Sequence, residues 1–221
     1  MTGQGERRKT AVLISGRGSN MQALVRASRL SDYPAEIALV LSNRADAAGL
    51  AWAQAQGIAT AVIDHKAFQS REEFEARIGE VLAAAEVEIV ALAGFMRLMT
   101  AGFVNGWRGR MINIHPSLLP AFKGLDTHAR ALAAGVKIAG CTVHFVTPEM
   151  DDGPIIAQAA VPVAAGDDAE ALAARVLRAE HRLYPAALAL VARGEITFES
   201  APSVGARAVN QDDVLISPQP A

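Results

Sequence analysis

The most constraining feature of this chain is its alternation, from Ala11 to Ile114, of short apolar runs with helix-periodic segments. Ala11–Ser15 is a short apolar run that ends in Gly16, and Asn20–Leu30 follows with Met21, Leu24 and Val25 at helical spacing. The pair recurs as Ile37–Leu41 with Ala45–Gln56, closed by Gly57, and as Ala61–Ile63 with Arg71–Ala85. In the last of these helices Phe74, Ile78, Val81 and Leu82 share one face. Glu88–Ala93, ending at Gly94, and Met111–Ile114, stopped by Pro116, are the next runs. Continuous apolar runs read as strands buried on both faces, and the helices between them read as crossovers of a parallel sheet.

The second half has a different rhythm. Thr127–Ala134 is helix-periodic and stops at Gly135. Gly140–Thr147 alternates Cys141, Val143 and Phe145 against Thr142, His144 and Val146, a strand with two unlike faces. Gly153–Val163 is a further strand, and the turn between the two predicts an antiparallel hairpin. Asp167–Ala192 predicts a long helix capped by Asp167 or Asp168, striped by Leu172, Val176, Leu183, Ala187 and Leu190, and kinked at Pro185. The expected fold class is α/β, with a doubly wound, mostly parallel central sheet extended by antiparallel strands. One domain is expected over 1–199, in two halves of about 10–110 and 111–199. A loosely ordered tail is expected over 200–221, carrying a short strand at Val214–Ile216.

Composition narrows the function classes. With 21 Lys and Arg against 23 Asp and Glu, the formal charge is −2, so no overall electrostatic case exists for nucleic acid or an anionic membrane. A single cysteine, Cys141, excludes an intramolecular disulfide framework and a Cys-cluster zinc site, and reads as a small buried hydrophobe. The start is polar, and Ala11–Ile14 is too short for a signal-peptide core or a membrane span. The expectation is a cytoplasmic soluble protein.

Two constellations carry chemistry. Ser15-Gly16-Arg17-Gly18-Ser19-Asn20 joins the first strand to the first helix. Such a turn brings backbone N–H groups and a helix N-terminus to an anion, or is simply a tight strand-to-helix turn. A dinucleotide fingerprint fits poorly, since its third glycine is replaced by Met21 and no acid sits at the tip of the second strand. No Walker lysine follows, so a monophosphate suits the turn better. The second constellation is Asn113-Ile114-His115 at the end of a strand, where both polar side chains share one face. A carboxylate from Asp151-Asp152-Gly153-Pro154 placed beside His115 would hold the ring protonated and fix its tautomer. Asn113 and His115 would then stabilise an oxyanion, a scheme for direct transfer that needs no Ser or Cys nucleophile. The same residues also fit a hydrogen-bonded strand end and an ordinary turn. A metal site from His115, His144 and Asp151 lacks any standard ligand spacing.

Three blocks together resemble the folate-dependent formyltransferases, in particular the glycinamide ribonucleotide branch. They are Ser15–Asn20, Leu92-Ala93-Gly94-Phe95-Met96-Arg97 and Asn113-Ile114-His115-Pro116-Ser117-Leu118-Leu119-Pro120. The likeness runs on through Gly124–His128, Thr142–Val146 and Asp151–Ile156, and covers about 10–199. It implies transfer of a formyl group from 10-formyltetrahydrofolate, a co-substrate, to the amine of glycinamide ribonucleotide in purine biosynthesis. It implies a nucleotide-binding first half and a folate and catalytic second half. Asn113, His115 and Asp151 match the family's catalytic trio, while Gly18, Ser19, Asn20 and Glu180 match its nucleotide site. Arg71, Met96, Arg97, Leu98, Met99 and Asn113 match its folate pocket, with the loop Thr147, Pro148, Glu149, Met150 and Asp151. The bland reading of Met96, Leu98 and Met99 is core packing. Pro148 stands where the family often has an acid, and Asp152 replaces a common small residue. The resemblance implies small-molecule partners only, no metal, no nucleic acid and no membrane, in a monomer or homodimer. A 10-formyltetrahydrofolate hydrolase, a methionyl-tRNA formyltransferase and a catalytically inert binding module are the rival readings.

Overall fold

The computed structural model describes residues 7–201, 209–211 and 214–217. Its strands are β1 (Arg8–Ile14), β2 (Ala35–Ser42), β3 (Ala59–Val62), β4 (Ile89–Leu92), β5 (Met111–His115), β6 (Ile138–Phe145), β7 (Ile155–Pro162), β8 (Val209–Gln211) and β9 (Val214–Ser217). The helices are α1 (Ser19–Ser28), α2 (Ala48–Ala55), α3 (Arg71–Ala84), α4 (Ala101–Gly106), α5 (Thr127–Ala133) and α6 (Ala169–Ala192). The strands form one sheet in the order β3-β2-β1-β4-β5-β6-β7-β9-β8. Strands β1 to β5 are parallel, while β6, β7, β9 and β8 add antiparallel pairs. This is the expected doubly wound sheet with its antiparallel extension. The expected strand at Val214–Ile216 is β9, which pairs with β7; residues 202–208, 212–213 and 218–221 of the tail lie outside the described residues.

Strand alternation splits the apolar residues into two cores. On one face Val12 and Ile14 of β1 pack with Met21 and Leu24 of α1, Leu50 of α2 and Leu183 and Tyr184 of α6. On the other, Ala11 and Leu13 pack with Phe74, Ile78 and Leu82 of α3. In β2 the parity breaks: Ile37 and Val40 serve the first core, and Leu39 and Leu41 the second. A bulge explains it, because Thr10 pairs with Ile37 and Ala11 with Leu39, leaving Ala38 as the extra residue.

Caps follow the sequence. Ser70 caps α3 by accepting Glu73 N–H, and Asp168 rather than Asp167 caps α6 by accepting Ala171 N–H. Helix α1, like α2 and α5, has no side-chain cap. It opens on Gly18 in the left-handed region (φ 70°). Its first-turn N–H groups therefore face outward at the end of β1. Among the described residues no helix is long and apolar enough to cross a membrane.

Candidate active site

The chain leaves β1 toward β2 on one side and returns to β4 on the other, which puts a crevice at the carboxyl ends of β1 and β4. A cleft of about 760 Å³ opens there and continues along β5 and β6. That volume suits a small molecule of cofactor size.

Strand β5 supplies the cleft's polar floor. Ile112 and Ile114 enter the first core, so Asn113 and His115 turn to the opposite face. The antiparallel register sets His144 of β6 opposite Asn113, and Thr142 opposite His115. Thr142 is spent on structure: its hydroxyl donates to Ser117 O and accepts Leu119 N–H, which fixes the chain leaving β5. His144 is 2 % exposed. Its Nδ1 donates to Phe145 O at 2.8 Å, so its Nε2 carries the lone pair and accepts from Asn113 Nδ2 at 3.2 Å. Burial holds its basicity below the ordinary histidine value, in keeping with that neutral tautomer. One N–H of the Asn113 amide is thereby used, and the other remains to meet a ligand.

The carboxylate comes from the β6–β7 connection. Asp151 takes a left-handed backbone (φ 52°) and turns its side chain inward, 11 % exposed, with Oδ2 at 3.3 Å from His115 Nδ1 and Oδ1 at 3.8 Å from His144 Nε2. Gly124 N–H donates to Asp151 Oδ2 at 2.9 Å. Asp152 points away, half-exposed, and pairs with Lys123. Of the two neighbouring carboxylates, Asp151 alone meets the histidines. His115 Nε2 donates to Phe122 O at 3.0 Å. Both ring nitrogens thus face oxygens, Nδ1 the carboxylate and Nε2 the carbonyl.

The other predicted residues distribute around this centre. Asn20, Met96, Arg97, Leu98, Met99, Thr147, Pro148, Glu149, Met150 and Glu180 all line the cleft. Met96 and Leu98 are largely exposed at its mouth, so core packing does not account for them; Met99 does pack against the second core. Glu180 is buried on α6, where desolvation pushes its carboxyl up and the Asn20 amide, 2.7 Å away, opposes that shift. The Asn20 Oδ1 is buried without a hydrogen-bond partner among the described residues. Gly18 and Ser19 stand at the start of α1 just outside the lining, and Arg71 opens α3 outside it too. A side chain at Gly18 would meet Met21 Cε at 2.9 Å and Gly49 Cα at 3.3 Å, so the turn is closely packed against the start of α2.

The sequence reading weighed His144 only as a metal ligand and did not place His128 in the site. The two-faced alternation of β6 was the available signal for His144. His128, in the first turn of α5, lines the cleft with its Nδ1 unpartnered among the described residues, and burial and the nearby His115 hold its basicity down. Among the described residues no group of three or more His, Cys, Asp or Glu side chains is arranged to hold a metal ion.

The family model described as formyl transferase matches residues 8–188. Phosphoribosylglycinamide formyltransferase of Escherichia coli is 45% identical over 185 residues, 84% of this chain and 87% of that one. The trifunctional purine biosynthetic protein adenosine-3 of Gallus gallus is 53% identical over 188 residues, which is 85% of this chain and 19% of the larger protein. The chain therefore spans about a fifth of that relative's length. The crystal structure of phosphoribosylglycinamide formyltransferase from Brucella melitensis superposes with a TM-score of 0.83 at 55% identity, covering 86% of this chain and 98% of the other.

Proposed function

We infer the function from one premise: the chain belongs to the formyl transferase family. It transfers the formyl group of 10-formyltetrahydrofolate to the amine of glycinamide ribonucleotide, a step of purine biosynthesis. The observation that carries this reading is the meeting of Asn113, His115 and Asp151 in one cleft that also reaches Asn20 and Glu180. Relatives of near-equal length, named for this activity, support it.

The two ends of the cleft take the two substrates. The uncapped first turn of α1, with Gly18, Ser19 and Asn20, receives the nucleotide phosphate. Glu180 and Asn20 receive polar groups of the nucleotide near the amine. Met96 to Met99 and the Thr147–Asp151 loop enclose the flat pterin, whose rim they match with apolar surface. Arg71, outside the lining, is left to the solvent-facing end of the folate.

Transfer is direct. The neutral amine attacks the formyl carbon, and the free N–H of Asn113 with the His115 imidazolium stabilises the oxyanion. For His115 to do so, the Nε2–H now on Phe122 O passes to the formyl oxygen. The new bond is amine nitrogen to formyl carbon. The bond that breaks joins that carbon to the folate nitrogen, which takes the proton the amine loses. Asp151 relays that proton, directly or through one water, and holds the His115 ring by its Nδ1.

The test is to mix the protein with 10-formyltetrahydrofolate with and without glycinamide ribonucleotide, following folate deformylation and formylated nucleotide. Deformylation that requires the nucleotide, matched mole for mole by formylated product, is expected. Formate release without the nucleotide would replace this reading with a hydrolase.

A further inference from the structure

The segment from Phe95 to Thr100 has no helical or strand backbone of its own, although it forms one wall of the cleft. A wall without a ladder keeps its position only through other bonds. Its far end is tied to α3, where Glu75 accepts Thr100 N–H at 2.6 Å. Its near end is tied by a chain of polar groups that the reaction does not use.

That chain starts at Met96. Its N–H donates to Ser15 Oγ at 2.8 Å, and the Ser15 hydroxyl donates to Asn43 Oδ1 at 2.6 Å. Asn43 Nδ2 lies 3.2 Å from His65 Nδ1 and donates to it when the ring proton is on Nε2; the same Nδ1 lies 3.4 Å from Asn43 O. The Ser15 backbone N–H donates to Gly94 O at 3.1 Å, so Ser15 grips the segment twice. Asn43 is 2 % exposed at the tip of β2, and Ser15 is buried at the tip of β1. With His65 in that tautomer every donor points the same way, from Met96 through Ser15 and Asn43 to His65, so each bond polarises the next. The order fixes the rotors. With its proton given to Asn43, the Ser15 hydroxyl can only accept from Met96. In the His65 tautomer with Nδ1 unprotonated, the Asn43 amide gives its N–H₂ to that nitrogen and keeps its oxygen toward Ser15.

We propose that Ser15 and Asn43 are positioning residues that set the Met96 end of the folate wall, with His65 holding the Asn43 amide in the orientation that allows it. This rests on the reading of 94–99 as the folate wall. The clasp is separate from the nucleotide phosphate turn, although Ser15 adjoins it, because its side chain is turned to β2 and the 94–96 backbone.

The test uses the full chain with Asn43→Leu, Ser15→Ala, Ser15→Thr and His65→Ala. Amide hydrogen exchange needs no ligand, so it tests the clasp apart from the function. The Met96 amide is expected to exchange at least about tenfold faster in Asn43→Leu and Ser15→Ala, with Leu13 and Ala91 as unchanged references for an intact sheet. In steady-state transfer the KM for 10-formyltetrahydrofolate is expected to rise about tenfold and that for the ribonucleotide less than twofold. Ser15→Thr keeps the hydroxyl and is expected to restore both readouts. His65→Ala lies at the surface end, so it serves where Asn43→Leu does not fold, with the same pattern at smaller scale. Unchanged Met96 exchange would overturn the clasp. Faster exchange with both KM values raised alike would overturn its role in folate positioning. A wild-type chain that binds no folate, with Met96 exchange still accelerated in the variants, would refute the functional reading and with it this role for the clasp.

Discussion

Replacing Asp151 by asparagine removes one charge and almost nothing else. The amide oxygen can take the place of Oδ2 and keep the Gly124 N–H at its 2.9 Å distance. The amide nitrogen then replaces Oδ1, facing the His144 lone pair 3.8 Å away. The fold should feel little of this, a change under about 1 kcal/mol, or a Tm shift within about 4 °C for a chain of this size. The reaction should feel far more. At 3.3 Å from His115 Nδ1 the carboxylate contributes an attraction of about 5 kcal/mol at an effective dielectric of about 20. The amide retains only the dipolar part of that, so the positive charge that His115 sets against the oxyanion in the transition state loses about 3 kcal/mol of support. The proton acceptor is lost with the same charge, an effect of about 10² to 10⁴ in rate. Because one charge does both jobs, the two are not multiplied, and kcat should fall by about 10² to 10⁴. The assay is stopped-flow or steady-state transfer with both substrates saturating, alongside titration of a folate ligand, whose affinity should survive. A variant with kcat within about tenfold of the parent would remove Asp151 from the proton path and leave the histidine pair without its assigned partner.

Three further outcomes are expected. Gly18→Val meets Met21 Cε and Gly49 Cα within 3.3 Å in a left-handed backbone, and so should raise the ribonucleotide KM well above any change in the folate KM; equal rises would move the phosphate elsewhere. Gly153→Ala places a Cβ 1.8 Å from Phe145 O beside the Asp151 turn, and melting should show a loss of about 2 kcal/mol or more together with reduced turnover. His144 is held below the ordinary histidine value near 6.5, so as pH falls through 6.5 the unfolded chain takes up a proton the fold refuses. Its share of stability is full above that pH and declines below it by at most about 1.4 kcal/mol per pH unit, and His144→Gln should flatten denaturation midpoints between pH 6.5 and 5.5 by that share. Parallel acid slopes in the two proteins would assign the loss to other groups.

The parts of this molecule legible in sequence are those written in local pattern. β5 was read to within one residue because apolar Met111, Ile112 and Ile114 are interrupted only by Asn113, and α6 because Asp168 and its apolar stripe bracket it. The helix expected at Ala45 begins instead at Ala48, since Arg44 pairs with Asp46 and Ala47 stays extended. Helix α4 was missed: Ala101–Gly106 has two glycines in six residues, and Thr100, its cap, lies in a stretch without periodicity. The bulge at Ala38 was equally silent, because one extra residue leaves no mark in an apolar run. At the site, the sequence put Asn113 and His115 on one face by parity alone. It gave no register between β5 and β6, so the seating of His144 against Asn113 was out of reach. Nor did Ser42-Asn43-Arg44 or His65 announce a partner, because the polar chain joins residues brought together only by the crossing of β1, β2 and β4.

The bond between Asn20 and Glu180 spans 160 residues of chain. A ribosome that adds about 5 to 20 residues per second leaves an interval of about 8 to 32 seconds between the two. During that interval α1 and the first face of the sheet have been made, but α6, whose Leu183 and Tyr184 roof that core, has not. The nascent chain therefore carries the Val12, Ile14, Met21 and Leu24 face without its α6 cover for most of the span between α1 and α6. The Asn20–Glu180 end of the cleft, encoded first, is completed last.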